Sequence, residues 1–176
     1  LPALPTTETI ARGQMEGGEV ADFALLLPGE PRNYGQLDLS PDGTRVLAQI
    51  GPGGGNDDVF LVDLERGSAN QITFGAHSGS ARWMPDGQHI VWSQAGGTGG
   101  DEIVMRSLSG EDSARVLTRS PLPMIISDVL GDGSALLFSV YGSVQSDVME
   151  VRTDGSGAVR PIVQEPLSQA GGVLSP

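Results

Sequence analysis

A chain of 176 residues is long enough for one ordinary domain with a core of its own. Its 26 Gly and 12 Pro, set against only 5% aromatic residues, point to a loop-rich protein of tight turns and argue against long helices. With 10 basic and 22 acidic residues the net charge is -12, which repels phosphate backbones and anionic membranes, and no apolar run approaches the roughly 20 residues of a spanning helix, so nucleic acid and membrane insertion are set aside.

In chain order, residues 1–19 read as an N-terminal extension or linker. Leu1-Pro2-Ala3-Leu4-Pro5 has neither the basic nor the apolar region of a signal peptide, and the first residue is not Met, so a leader or upstream domains can have been removed. Residues 20–33 hold one apolar strand, Asp22 to Leu27.

From there a repeat governs the chain. Ser40-Pro41-Asp42-Gly43-Thr44-Arg45-Val46-Leu47 recurs as Met84-Pro85-Asp86-Gly87-Gln88-His89-Ile90-Val91 and as Leu130-Gly131-Asp132-Gly133-Ser134-Ala135-Leu136-Leu137. A new copy is due at Leu174-Ser175-Pro176, and the steps are 44, 46 and 45 residues. Asp58-Val59-Phe60-Leu61-Val62, Glu102-Ile103-Val104-Met105-Arg106 and Asp147-Val148-Met149-Glu150-Val151 keep the same register. So do Gln71-Ile72-Thr73-Phe74, Val116-Leu117-Thr118-Arg119 and Pro161-Ile162-Val163-Gln164. Three landmarks sharing one period exclude chance.

Each unit reads as four strands. The innermost (36–39, 81–84, 126–130) meets the second through Asp-Gly, which suits a two-residue hairpin. The second (46–50, 90–93, 135–140) is apolar at both alternations, as a strand packed on both faces requires. The third and fourth strands follow Gly-rich loops. The units span 34–77, 78–122 and 123–168, with 169–176 opening another. The expected fold is therefore all-β: a partial β-propeller of four-stranded antiparallel blades, about three complete blades plus edge strands.

The Ser-Pro-Asp-Gly turn, the Asp-x-aliphatic third strand and the Ile72-Thr73 or Leu117-Thr118 fourth strand resemble TolB-type, WD-like propeller repeats. Such repeats occur in the periplasmic TolB protein, in prolyl oligopeptidase-type peptidases and behind the kinase domain of bacterial Ser/Thr kinases. Asp22-Phe23-Ala24-Leu25-Leu26-Leu27-Pro28-Gly29-Glu30 and the third unit are similar to the kinase-attached group. The resemblance implies that Asp22 to Leu27 completes the last blade of a ring. A ring of the usual four or more blades needs at least about 180 residues after that strand, so the chain is a fragment or an open array that pairs with another chain.

Loops joining second to third strands, and fourth to first, share one face. They bring Asp57, Asp58, His77, Ser78, Asp101, Glu102 and Asp147 there, with Ser120 to Met124 and Glu165 to Ala170. The acids suggest an anionic mouth for cations or basic peptides; the alternative is that each caps the start of its strand. Asn56-Asp57-Asp58 lacks the spacing of a calcium loop. His77-Ser78-Gly79 fails as a serine elbow, because Ala76 and Ser80 stand where glycines are needed. The loops 51–55 and 96–100 lack the spacing and following helix of a phosphate cradle. His89 reads as a surface residue, and Trp83 and Trp92 as core packing between blades with indole N–H groups in need of partners.

No catalytic residue, metal or cofactor is expected. The expected role is a non-catalytic binding, sensing or scaffolding module of a larger bacterial protein such as a Ser/Thr kinase. The alternative is the substrate-gating propeller of a serine hydrolase whose catalytic domain lies elsewhere. Expected partners are a protein or peptide, the remainder of the propeller, or a second copy meeting open blade faces. Without cysteine the compartment stays open, with periplasm or cell exterior preferred over cytoplasm.

Overall fold

The structure, a computed structural model, describes residues 11–16, 19–25, 33–51, 57–75, 79–97, 99–110, 113–142 and 146–163. Three four-stranded antiparallel sheets account for most of them, each meandering in chain order. The first blade comprises β3 (Asn33–Leu39), β4 (Arg45–Gly51), β5 (Asp58–Asp63) and β6 (Ser68–Gln71). The second comprises β7 (Ala81–Trp83), β8 (His89–Ala95), β9 (Asp101–Ser107) and β10 (Arg115–Ser120). The third comprises β11 (Met124–Val129), β12 (Ala135–Tyr141), β13 (Ser146–Arg152) and β14 (Val159–Val163). No helix occurs among the described residues.

Ahead of the blades, β1 (Ala11–Glu16) and β2 (Glu19–Leu25) form a two-stranded antiparallel sheet of their own, with Ala11 opposite Leu25. The stretch expected to be an extension thus carries a strand. The strand Ala11-Arg12-Gly13-Gln14-Met15-Glu16 holds no β-branched or aromatic residue, so only a weak alternation of small or apolar with polar positions announces it.

The second strand of every blade is apolar on both faces because both faces are covered. Val46, Leu47 and Ala48 are buried in succession, as are Ile90, Val91 and Trp92, and Ala135 through Phe138. Two cores result. Between the first and second blades lie Leu47, Val59, Ala81, Trp83, Ile90, Trp92 and Val104. Between the second and third, Met84, Val91, Ile103 and Leu117 meet Met124, Ile126, Leu136, Phe138 and Val151. Trp83 and Trp92 are core residues, and their N–H groups are satisfied: Trp83 Nε1 donates to the Asp38 carbonyl at 3.2 Å and Trp92 Nε1 to Gln94 Oε1 at 2.7 Å.

Two local expectations need correction. The Asp-Gly connections are four-residue loops, not two-residue hairpins. Ser40 N donates to the Arg45 carbonyl, and Gly43 N closes a β-turn onto Ser40 O at 2.9 Å. The same pattern joins Met84 to His89 and Leu130 to Ala135. Proline's fixed φ suits the second position of such a turn, and the glycine after Asp takes the left-handed φ, 71° at Gly43 and 64° at Gly87. The Asp side chain binds the loop shut, Asp42 Oδ1 accepting from Thr44 N at 3.0 Å and Asp86 Oδ1 from Gln88 N at 2.8 Å. In the first blade, the fourth strand ends at Gln71, not Phe74. There Thr73 Oγ1 donates to Asp58 Oδ1 at 2.8 Å and accepts from Val59 N at 2.9 Å, a side-chain substitute for the ladder that leaves Phe74 exposed.

Candidate binding face

An innermost strand is a sheet edge, and alternate N–H groups along it have no ladder partner. Here the preceding blade supplies acceptors. Asp38 Oδ2 of β3 accepts from Trp83 N of β7 at 2.7 Å. Ser80 Oγ, just ahead of β7, accepts from Ile126 N of β11 at 2.6 Å, and Asp101 Oδ2 of β9 accepts from Met124 N at 2.8 Å. Arg82 adds a donor in the same direction, Nη2 reaching the Ser127 carbonyl at 3.2 Å. These bonds stitch the inner strands side by side.

Asp38, Arg82 and Asp128 occupy one repeat position on the three inner strands, so a half-buried row of alternating charge runs across them. Burial pushes the Asp38 carboxyl above its usual range; the Trp83 N–H and the Arg82 charge pull it down, and Asp128 pushes it up. Leu37, Leu39 and Ile125 expose apolar surface along the same strands. Charge is thus flanked by exposed aliphatic groups along the strand row. Sequence reasoning passed over this row, although its 44- and 46-residue spacing follows the repeat.

The acids at the loop face are held within the fold. Asp57 is buried and accepts from Gln49 Nε2 at 3.3 Å. Asp58 accepts from Gln71 Nε2 at 3.1 Å and Gly75 N at 3.0 Å, besides the Thr73 hydroxyl. Asp101 is the latch to Met124 already described. Glu102 accepts from Arg119 Nε at 2.7 Å with only 17% of its side chain exposed. Asp147 is half-buried on β13, opposite Val140. His77 and Ser78 lie outside the described residues, as does 165–170. A cleft of about 200 Å³ opens among Gly96, Gly99, Glu102, Arg119 and Pro121, so Asp101 and Glu102 do share one hollow. Gly100 is obligatory beside it: its φ is +83°, and a Cβ there would collide with the Ser120 carbonyl oxygen.

No family model matches the chain, and no curated protein sequence does either. Solved structures do. TolB from Acinetobacter baumannii superposes with a TM-score of 0.67 at 18% identity, over 83% of this chain and 36% of that one. The Agrobacterium tumefaciens structure assigned to TolB gives 0.67 at 20% identity, over 88% of this chain and 60% of that one. A structure from a study of two prolyl endopeptidases gives 0.63 at 21% identity, over 84% of this chain and 25% of that one. The chain therefore spans between about a quarter and three fifths of the length of these structures. At such identities the likeness establishes the fold alone: three consecutive four-stranded blades stacked in order, a partial β-propeller similar in fold to the TolB structures.

Proposed function

We propose that the chain is a non-catalytic binding or scaffolding module of a larger bacterial protein such as a Ser/Thr kinase, presenting its inner strands and loop face to a protein or peptide. The observation that carries this reading is where the polar side chains go. Asp38, Ser80, Asp101, Asp58 and Glu102 are each committed to a backbone or side-chain partner that holds blades or loops together. What then remains for a partner is a rigid surface of fixed charge and exposed aliphatic groups. Among the described residues a serine stands opposite the histidine at Ser107 and His89, whose ring Nδ1 meets Asp86 Oδ2 at 2.6 Å. The Ser107 hydroxyl is engaged instead by Ser109, at 2.8 Å to its Oγ and 3.2 Å to its N–H. Aryl esters and aminoacyl chromogenic substrates test the reading, and no turnover above buffer is expected. Turnover lost in Ser78→Ala or Ser107→Ala would overturn it.

The likeness to the prolyl endopeptidase structure favours a second reading, an accessory propeller that gates a serine hydrolase. The sequence of the parent protein decides between them: a kinase His-Arg-Asp and Asp-Phe-Gly pair upstream supports the first, a serine elbow downstream the second.

Under either reading the first blade has apolar surface to cover. Leu39 and Leu37 stand opposite Val46 and Ala48, on the face turned away from the second blade, and are 57% and 47% exposed. Further blades or a second copy are the proposed cover. Light scattering on the purified chain is expected to show self-association, and a protease-resistant monomer at high concentration would contradict it.

A further inference from the structure

A second hollow lies at the opposite end of the strands from the loop face. It encloses about 420 Å³ and is lined by His89, Met105, Arg106, Ser107, Ser113 and Arg115. In a chain of net charge -12, the described lining holds Arg115, His89 and no carboxylate; the other lining arginine, Arg106, has its guanidinium 5.9 Å from the centre of the Trp92 ring. The repeat explains what is unusual here. In the third blade, Arg160 of β14 stands directly opposite Glu150 of β13 and grips its carboxylate with two bonds, 2.8 Å from Nε and 2.7 Å from Nη2. In the second blade the corresponding Arg115 of β10 stands opposite Met105 of β9, and among the described residues no carboxylate pairs with it. Where the third blade has a carboxylate, the second has a cavity.

The groups around that cavity are held in place. Arg115 reaches the third blade, one Nη donating to the Thr153 carbonyl, and Gly155 makes room for it, since a Cβ there would lie 2.7 Å from Arg115 Nη1. Guanidinium carries five N–H donors in a fork that matches a carboxylate, so most of them remain. His89 is oriented through its Nδ1 by Asp86, which turns Nε2 into the atom available to a ligand. Burial raises the Asp86 carboxyl, but the N–H groups of Gln88 and His89 and the His89 ring outweigh it, so this anchor stays ionised. Ser113 brings a hydroxyl group and Met105 an apolar wall, while the Ser107 hydroxyl is held by Ser109. The volume falls in the range of roughly 300–1,000 Å³ usual for small-molecule sites.

We propose that this cavity is a binding site for a small carboxylate-bearing molecule, whose carboxylate takes beside Arg115 the position that Glu150 takes beside Arg160. The short apolar part of the ligand lies along Met105. This site is independent of the peptide surface proposed above, because it lies at the other end of the strands and draws on none of its residues.

The test is an NMR titration of the full isotope-labelled chain with butyrate, and separately with inorganic phosphate. Butyrate is expected to give saturable shifts in the millimolar range at Arg115 Nε–H and the amides of Ser107 and Ser113. Arg115→Gln should abolish them and Arg119→Gln should not. Met105→Glu, which supplies the carboxylate from within as the third blade does, should abolish them in a chain that stays folded. Absence of saturation, shifts that survive both Arg115→Gln and Met105→Glu, or phosphate saturating where butyrate does not would each overturn the proposal.

Discussion

The two blade interfaces solve one packing problem with different side chains. Between the first and second blades, two tryptophans fill the gap, and Arg45 lies 4.6 Å over the Trp83 ring. The Asp38 carboxylate takes the Trp83 backbone N–H there, the Asp38 carbonyl takes the Trp83 indole N–H, and Arg45 Nη2 donates to the Gly87 carbonyl at 2.9 Å. Between the second and third, aliphatic and methionine side chains close on Phe138, and Ser80, Asp101 and Arg82 all cross to β11. Rings fill one gap and smaller side chains the other, and both interfaces are crossed by side-chain hydrogen bonds. The repeat thus dictates where blades meet, and each interface is free in how it is filled.

The largest effect is expected where that second interface is densest. Phe138 is 2% exposed, and Phe138→Ala should cost about 3–5 kcal/mol, read from urea unfolding. A cost under about 1 kcal/mol would mean that the two blades do not pack through it. Next come the latches. Ser80→Ala strands the buried Ile126 N–H, and Asp38→Ala strands the N–H of Trp83, each at about 1–3 kcal/mol, whereas Asp38→Asn keeps an acceptor and should cost less. Gly87→Val forces a branched residue to φ near 64°, where a Cβ meets only Pro41 at an ordinary 3.9 Å, so about 1–3 kcal/mol of backbone strain is expected and a Tm unchanged by it would contradict the turn geometry.

Acid distinguishes the turns from the interface. The Ser40 hydroxyl and Thr44 hold Asp42 down to about 2 from 3.8, and Asp86 and Asp132 are lowered in the equivalent turns. Lowered carboxyls stabilise the fold fully above their unfolded pKa, and that contribution is lost as pH falls from near 4 towards 2. Asp38 has the opposite sign: its raised carboxyl is better tolerated as it protonates. The Tm should therefore fall below pH 4, with a shallower fall in Asp42→Asn and a steeper one in Asp38→Asn. The smallest effect belongs to Arg119→Ala, which removes an exposed partner of Glu102 and should change stability by at most about 1 kcal/mol.

How much of this was legible in the sequence follows from what is local. Four-strand blades announce themselves through turn residues and apolar second strands, so their number and order are plain from Pro41, Pro85 and Gly131 onward. The turn geometry differs from the expectation because Asp-Gly weighs towards a tight hairpin, whereas here the glycine is the last residue of a β-turn that the Asp side chain closes, with Pro or Gly131 alike at its second position. The latches escape notice because they depend on how neighbouring blades align: Asp38 and Trp83 are 45 residues apart, Ser80 and Ile126 46. The cavity is invisible for a related reason. Met105 in place of Glu150 is an ordinary strand substitution until the arginine across the strand is seen.

Amide hydrogen exchange at Trp83, Met124 and Ile126 tests the stacked-blade account most directly. All three N–H groups lie on inner edges and are bonded to side chains of the preceding blade. The account predicts exchange as slow as in the central strands β8 and β12, and Asp38→Ala should accelerate Trp83 far more than Met124 or Ile126. Rapid exchange at all three in the unmodified chain would show blades standing apart, and would contradict it.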